Sequence, residues 1–219
     1  AIFVLPVGLW LLRLPSPNTK FEAARNGSKP INYLLVFLVV IFFVLYVGTE
    51  VSYGGWIFSY AVASGLANEA AAAYLTSGFW VAFTIARLLS IPIAARLRPR
   101  YILTIDFTGS LLSLTMMWLA PDNLLVLWLG TLGVGYFIAS IFPTMITFAG
   151  QRMPVTGKVT GYFFLGATTG SMLLPWLIGQ FFERVGPKFM MGALLVDMVL
   201  AAIVLGVLAV CSRGKTIAL

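Results

Sequence analysis

Long apolar runs separated by short polar breaks dominate the chain from residue 31 onward. Crossing a bilayer takes roughly 20 apolar residues in a helix, and a helix satisfies the backbone groups that lipid cannot. The six runs have these approximate limits: Ile31–Ser64, Glu69–Ala95, Tyr101–Leu119, Asn123–Gly150, Gly157–Phe182 and Lys188–Val210. The pattern predicts an all-α membrane protein with six complete transmembrane helices and no soluble domain.

The chain begins with a shorter apolar stretch, Ala1–Leu12. It is too short to cross a bilayer, and without a basic start it does not resemble a signal peptide. We expect residues 1–12 to be the end of a truncated transmembrane helix, so that the sequence is a piece of a longer chain. Residues 13–30 are predicted to be a basic cytoplasmic linker broken by prolines and a glycine, residues 31–211 the six-helix bundle, and residues 212–219 a cytoplasmic tail.

Composition and charge support this organisation. The chain is 60% hydrophobic and 10% charged, with a net charge of +7, whereas soluble domains have about 45–50% apolar and about 25% charged residues. Eleven basic residues lie in alternate polar segments: Arg13, Lys20, Arg25, Lys29, Arg96, Arg98, Arg100, Arg152, Lys158, Arg213 and Lys215. The intervening segments hold two, Arg184 and Lys188. Basic short loops face the cytoplasm, so both ends are predicted to be cytoplasmic, and the basic charge is explained without nucleic acid.

Several kinds of chemistry are excluded by composition. The chain has one cysteine, Cys211, and no histidine. An internal disulfide, a Cys/His metal site and a Ser-His-Asp arrangement are therefore impossible within it. No other cluster suggests catalysis, so we expect no enzyme activity, no metal and no cofactor.

Glu50 is the most informative charge within the predicted bilayer. Intramembrane charges usually face a bundle interior or a water-filled cavity. Helical spacing places Glu50 on one face with Tyr53 and Gly54, and Trp56 on an adjacent face. The Gly54–Gly55 pair is expected to weaken the helix beside a cavity. A carboxylate beside aromatic rings suits a polyhydroxylated ligand, and the alternative is a structural glutamate bonded to a neighbouring helix.

The fourth run carries a polar stripe at helical spacing, which includes Tyr136, Ser140 and Thr144. Hydroxyl groups facing lipid would lack partners, so the stripe is expected to face protein or water. Cavity lining and helix packing both remain open. Pro143 is expected to kink this helix.

Three further charges lie within the spans. Arg87 and Asp106 lie at similar predicted depth on the second and third spans, and opposite sign favours an interhelical ion pair that is structural or latches a gate. Asp197 lies near the middle of the last span. We interpret it as a hydrogen-bonded or protonated residue without a transport role, a proton site being the alternative.

The fifth run contains Gly166 and Gly170, four residues apart on one helical face. Small residues at this spacing allow two membrane helices to approach closely. We expect this pair to serve helix packing.

Four segments together resemble a known family. "YVGTEVSYGGWIFSYAV" (46–62) resembles the seventh helix of major facilitator superfamily transporters, in the branch of fucose–galactose–glucose:proton symporters and sodium-dependent glucose transporter-like proteins. "IARLLSIPIAARLRPRYIL" (85–103), "SIFPTMITFAG" (140–150) and "GKVTGYFFLGATTGSMLLPWLIGQFFERVG" (157–186) resemble its helices eight, ten and eleven. The usual Gly…Asp-Arg-x-Gly-Arg-Arg pattern after helix eight is absent, and only its basic character remains.

The resemblance implies the C-terminal six-helix half of a twelve-helix transporter, in which helices seven and ten line the central path. It implies alternating-access transport of a small polar solute, a sugar, with a proton or sodium as coupling ion. Partners would be membrane lipid and the missing N-terminal half. The substrate-binding residues would be Glu50, Tyr53, Trp56, Tyr136, Ser140 and Thr144. The alternative is a transporter-like subunit that transports nothing and acts as a scaffold in a larger membrane complex.

Overall fold

Six membrane-length helical spans make up the computed structural model, which describes residues 32–212. Five spans are single helices and the fourth is divided. The helices are α1 Tyr33–Ala63, α2 Glu69–Arg96, α3 Pro99–Leu119, α4 Leu124–Ile138, α5 Ile141–Gly150, α6 Gly157–Val185 and α7 Lys188–Cys211. The predicted all-α class and the six spans are confirmed. The predicted truncated helix end, basic linker and all but the first residue of the tail lie outside the described residues.

Polar residues in the short breaks fix where the helices begin. The side-chain oxygens of Asn32, Asn68 and Thr156 each accept a hydrogen bond from a backbone N–H in the first turn of α1, α2 and α6. Asn123 does the same for α4, accepting from two amides. The first amides of a helix have no partner within the helix, and these caps satisfy some of them at the bundle ends.

The central helix of the described bundle is α1, which packs against α6, α7 and α2. Gly166 and Gly170 allow the closest of these approaches. A Cβ on Gly166 would lie 2.7 Å from the Val40 carbonyl oxygen, and a Cβ on Gly170 would overlap the Val44 carbonyl. The predicted packing role of the two glycines is confirmed.

The outer surface of the bundle is apolar, as lipid or a further membrane-embedded partner requires. Large apolar side chains such as Tyr74, Ile91, Leu119 and Met172 are each about 70% exposed. In water such a surface would drive aggregation. Together with the six spans, it identifies the chain as a multi-pass membrane protein.

The interruption in the helices lies in the fourth span, not at the glycine pair of the first. α1 runs unbroken through Gly54 and Gly55. Gly54 instead makes room for Trp80 of α2, because a Cβ there would lie 2.7 Å from the indole ring. α4 ends at Ile138 and α5 begins at Ile141. The sequence therefore predicted the effect of Pro143 on the fourth span correctly. The expected weakening of the first span at Gly54 and Gly55 is not found.

Candidate functional site

Pro143 creates the break, and a residue from another helix compensates for it. Proline has no N–H, so the carbonyl four residues earlier, that of Ala139, loses its usual helical donor. The Arg87 Nε group of α2 donates to that carbonyl over 3.3 Å. The guanidinium also lies 4.7 Å from the centre of the Phe83 ring. A charged side chain thus bonds to a buried carbonyl that has lost its helical donor.

The neighbouring carbonyl at the break also binds a side chain. The Tyr46 hydroxyl of α1 lies 3.1 Å from the Ile138 carbonyl oxygen and within hydrogen-bonding distance of the Glu50 carboxylate, one helical turn away. Tyr46 is fully buried, while Glu50 is half-buried. The single phenolic proton is therefore shared by two acceptors, one on α1 and one at the break.

Arg87 connects these groups electrostatically. Its positive charge acts on both the Glu50 carboxylate and the Tyr46 phenol. Tyr46 and Arg87 thus bond to residues 138 and 139 from two helices, and Glu50 is bonded to Tyr46. We call these three residues the break cluster. The sequence pointed to Glu50 and Arg87 separately, but their association depends on helix packing that periodicity along one helix does not reveal.

Asp106 and Ser140 form the polar contact on the other side of the break. The Ser140 hydroxyl donates to the Asp106 carboxylate, and both residues are buried. The predicted direct ion pair between Arg87 and Asp106 is not formed within the described part of the chain. Instead the two residues bind consecutive positions of the break, Ala139 and Ser140.

A cavity of about 190 Å³ lies beside this contact, between α2, α3 and the fourth span. Four oxygen-bearing side chains line it: Ser90, Asp106, Tyr136 and Ser140. The rest of the lining is apolar, with Ile93, Leu97 and Ile105 among it. Among the described residues of the lining, Asp106 is the only one with an acidic or basic side chain.

The predicted substrate-binding residues do not all share one surface. Tyr53 is fully buried, and its hydroxyl is 2.8 Å from the Thr131 hydroxyl and 3.3 Å from the Met117 sulfur. Trp56 packs on Phe182 of α6, with ring centroids 5.0 Å apart. Thr144 is buried in α5, whereas Tyr136 is 39% exposed. Of the six predicted residues, Glu50 and Tyr136 are therefore the ones best placed to contact a solute. Trp56 is partly exposed and packs on α6.

Asp197 is satisfied within the bundle. The Thr49 hydroxyl of α1 donates to its carboxylate over 2.7 Å, and both residues are buried. Thr49 directly precedes Glu50 in α1. The first of the two residues bonds to α7, and the second belongs to the break cluster. This contact agrees with the interpretation of Asp197 as a hydrogen-bonded residue.

Proteins of known sequence similar to this chain are membrane transporters or carry a transporter-family name. Sodium-dependent glucose transporter 1A of Mus musculus is 34% identical over 183 residues, which cover 81% of this chain and 43% of that protein. Sodium-dependent glucose transporter 1 of Homo sapiens is 36% identical over 170 residues, or 77% of this chain and 33% of that protein. Major facilitator superfamily domain-containing protein 4A of Homo sapiens is 33% identical over 140 residues, which cover 64% of this chain and 27% of that protein. The chain thus spans less than half the length of these relatives.

The fold also has a solved counterpart. The crystal structure of the POT family transporter PepTSo matches with a TM-score of 0.75 over 87% of this chain and 39% of that one. At 15% sequence identity the match shows the fold alone. No protein-family profile matches the chain.

Proposed function

From the homology of this chain to major facilitator superfamily proteins, the sodium-dependent glucose transporters among them, we propose that it forms one six-helix half of a secondary active transporter. The transporter moves a small polar solute, a sugar, across a membrane by alternating access, with sodium or a proton as coupling ion. The other half is a second six-helix bundle, which the relatives' greater length leaves room for. The chain catalyses no reaction on the solute.

The observation that supports this proposal best is the break cluster. Discontinuous helices border the solute and ion sites of many secondary transporters, because an unwound backbone is tolerated only where it meets protein or a cavity. Here the break lies in the fourth span, and its carbonyls are bound by Tyr46 and Arg87 beside the half-buried Glu50. Charged and polar groups held at membrane depth suit recognition of a hydroxyl-rich solute.

We assign the proposed substrate-binding residues two roles. Glu50 and Tyr136 would contact the solute directly, because a carboxylate accepts hydroxyl protons and an exposed ring covers an apolar sugar face. Trp56 would extend this wall toward α6. Tyr53, Ser140 and Thr144 are buried, and they would hold the wall in position from behind.

Uptake by the full-length protein tests the proposal. The protein would be reconstituted in vesicles and offered a panel of radiolabelled sugars, with a sodium gradient, with a proton gradient and with neither. We expect concentrative uptake of at least one sugar that depends on one of the gradients. A protein that inserts normally but transports none of the panel under any gradient would argue for the scaffold alternative.

A further inference from the structure

The cavity beside Asp106 is separate from the break cluster and has one carboxyl group in its lining. Among the described residues that line it, Asp106 is the one with an acidic or basic side chain. Arg87 of α2 donates to the Ala139 carbonyl and lies within the influence of Glu50. A carboxylate removed from water without a cationic partner is costly, so an ionised Asp106 needs a positive ion.

The hydroxyl oxygens that line the cavity with Asp106 can accept a cation. The Ser140 hydroxyl proton is donated to Asp106, and the Ser90 hydroxyl proton is donated to the Arg87 carbonyl over 2.7 Å. Both serine oxygens therefore retain free lone pairs. Tyr136 adds a third hydroxyl to the lining.

We propose that Asp106, Ser140, Ser90 and Tyr136 form a sodium site in this half of the protein. Hard cations take oxygen ligands, and a carboxylate and three hydroxyl groups from three helices line part of a cavity of about 190 Å³. That volume holds an ion together with water molecules, since about 10–15 Å³ of such space accommodates one water. The fold gives the site a means of coupling, because Ser140 lies in the break and its neighbour Ala139 binds Arg87.

This inference rests on the proposed function, because it places the coupling ion of that transport cycle. It predicts that sodium, by holding Asp106 to Ser140, favours one arrangement of the fourth span. Through Ala139 and Arg87 the same arrangement would position Glu50 for the solute. Sodium and solute would then increase each other's affinity, as linkage requires.

The test measures sodium binding directly, so that it does not depend on transport. Purified full-length protein would be titrated with radioactive sodium at constant ionic strength, with choline replacing sodium, and its thermal midpoint would be recorded in the same series. We expect saturable binding and a sodium-dependent rise in the midpoint. Asp106→Asn should weaken binding at least tenfold, and Ser140→Ala and Ser90→Ala should each weaken it severalfold.

Asp197→Asn is the matched control, since it removes another buried carboxylate that accepts a single hydroxyl bond, and it should bind sodium as the unmodified protein does. Wild-type affinity in Asp106→Asn would overturn the site. If that variant fails to insert, unchanged affinity in both serine variants would overturn it. A midpoint that responds to pH and not to sodium would assign the cavity to a proton and refute the sodium proposal. Normal sodium binding without uptake of any sugar would instead count against the proposed function.

Discussion

At the scale of single residues, Glu50 is where charge, exposure and helix geometry meet. It is half-buried, receives a hydrogen bond from Tyr46 and lies within the influence of Arg87. Asp197 likewise accepts one hydroxyl bond, from Thr49, but it is buried, so the two carboxylates differ in exposure. The partial exposure of Glu50 leaves part of its carboxylate available to a solute.

We therefore expect Glu50→Gln in the full-length protein to insert normally but to bind its solute about ten- to a hundredfold more weakly. Glutamine keeps the volume and a carbonyl that can accept from Tyr46, so packing should survive. It loses the charge that strengthens hydrogen bonds to solute hydroxyls, each worth about 1.5–3 kcal/mol, and about 1.4 kcal/mol corresponds to a factor of ten in affinity. Uptake measured over a range of solute concentrations checks this.

The control for that measurement is Asp197→Asn, which alters a buried carboxylate on α7 whose partner, Thr49, lies outside the break cluster. We expect near-normal uptake from it. Normal uptake by Glu50→Gln together with impaired uptake by Asp197→Asn would reverse the two assignments. Failure of Glu50→Gln to reach the membrane would make Glu50 structural and leave Tyr136 as the main solute contact.

At the scale of helices, the sequence predicted which helices form. It did not predict which side of each helix contacts which neighbouring helix. Six spans follow from apolar length alone, because lipid permits little else. The orientations of Tyr53 and Trp56 do not, since α1 contacts several other helices and each faces a different side of it. Tyr53 points toward Thr131 and Trp56 toward Phe182, and only the tertiary packing decides between these directions.

The break in the fourth span shows the same limit. Pro143 signals lost helical bonding, and that much is readable from one residue. The glycine pair of α1 was expected to weaken its helix, yet the helix continues through both residues. Trp80 and Phe79 pack closely against Gly54, whereas a Cβ on Gly55 would meet no neighbour within 4 Å. Whether a glycine breaks a helix or admits a neighbour depends on the neighbouring helix, which the local sequence does not contain.

The break should matter for movement more than for stability. In Pro143→Ala the new N–H can bond to the Ala139 carbonyl, which would straighten the span and displace Arg87. Since proline inside a helix costs about 3 kcal/mol, and Arg87 recovers part of that, we expect a thermal midpoint a few degrees higher. We also expect uptake to be several times slower, because the fourth span has lost its flexible joint.

Pro175→Ala provides the comparison, because Pro175 lies within α6, which is continuous. This variant should change uptake little. Equal slowing of uptake by the two substitutions would show that the break has no special role. A lower thermal midpoint for Pro143→Ala would show that the bent span is the more stable arrangement and would contradict the proposed straightening.

At the scale of the whole molecule, the alternation of basic and non-basic loops carries the topology. Two of the basic loops lie at the same end of the described bundle. Burial, and after it the nearby charge of Arg100, lowers the pKa of Arg152. Arg152 is held by a bond to the Ser212 hydroxyl of 2.7 Å, so the end of α7 joins that cluster. The loops before α3 and after α5 and the end of α7 therefore face one side, as the charge pattern requires.

Which side is cytoplasmic can be tested at Asn26, within the basic linker predicted from the sequence. Asn26-Gly-Ser28 matches the acceptor pattern for N-glycosylation, and modification occurs only on the face away from the cytoplasm. Eleven basic residues on the linker side against two on the other predict that the linker side is cytoplasmic. We expect Asn26 to remain unmodified in cells, with no change in apparent mass on glycosidase treatment.

A control for the opposite face is a Gly/Ser-flanked Asn-Gly-Ser acceptor inserted between Gly65 and Leu66, in the loop joining α1 to α2. This acceptor should become modified. A glycosidase-sensitive mass shift that disappears in Asn26→Gln, with the inserted acceptor unmodified, would invert the topology. The proposed coupling ion would then enter the solute cycle from the opposite side of the membrane.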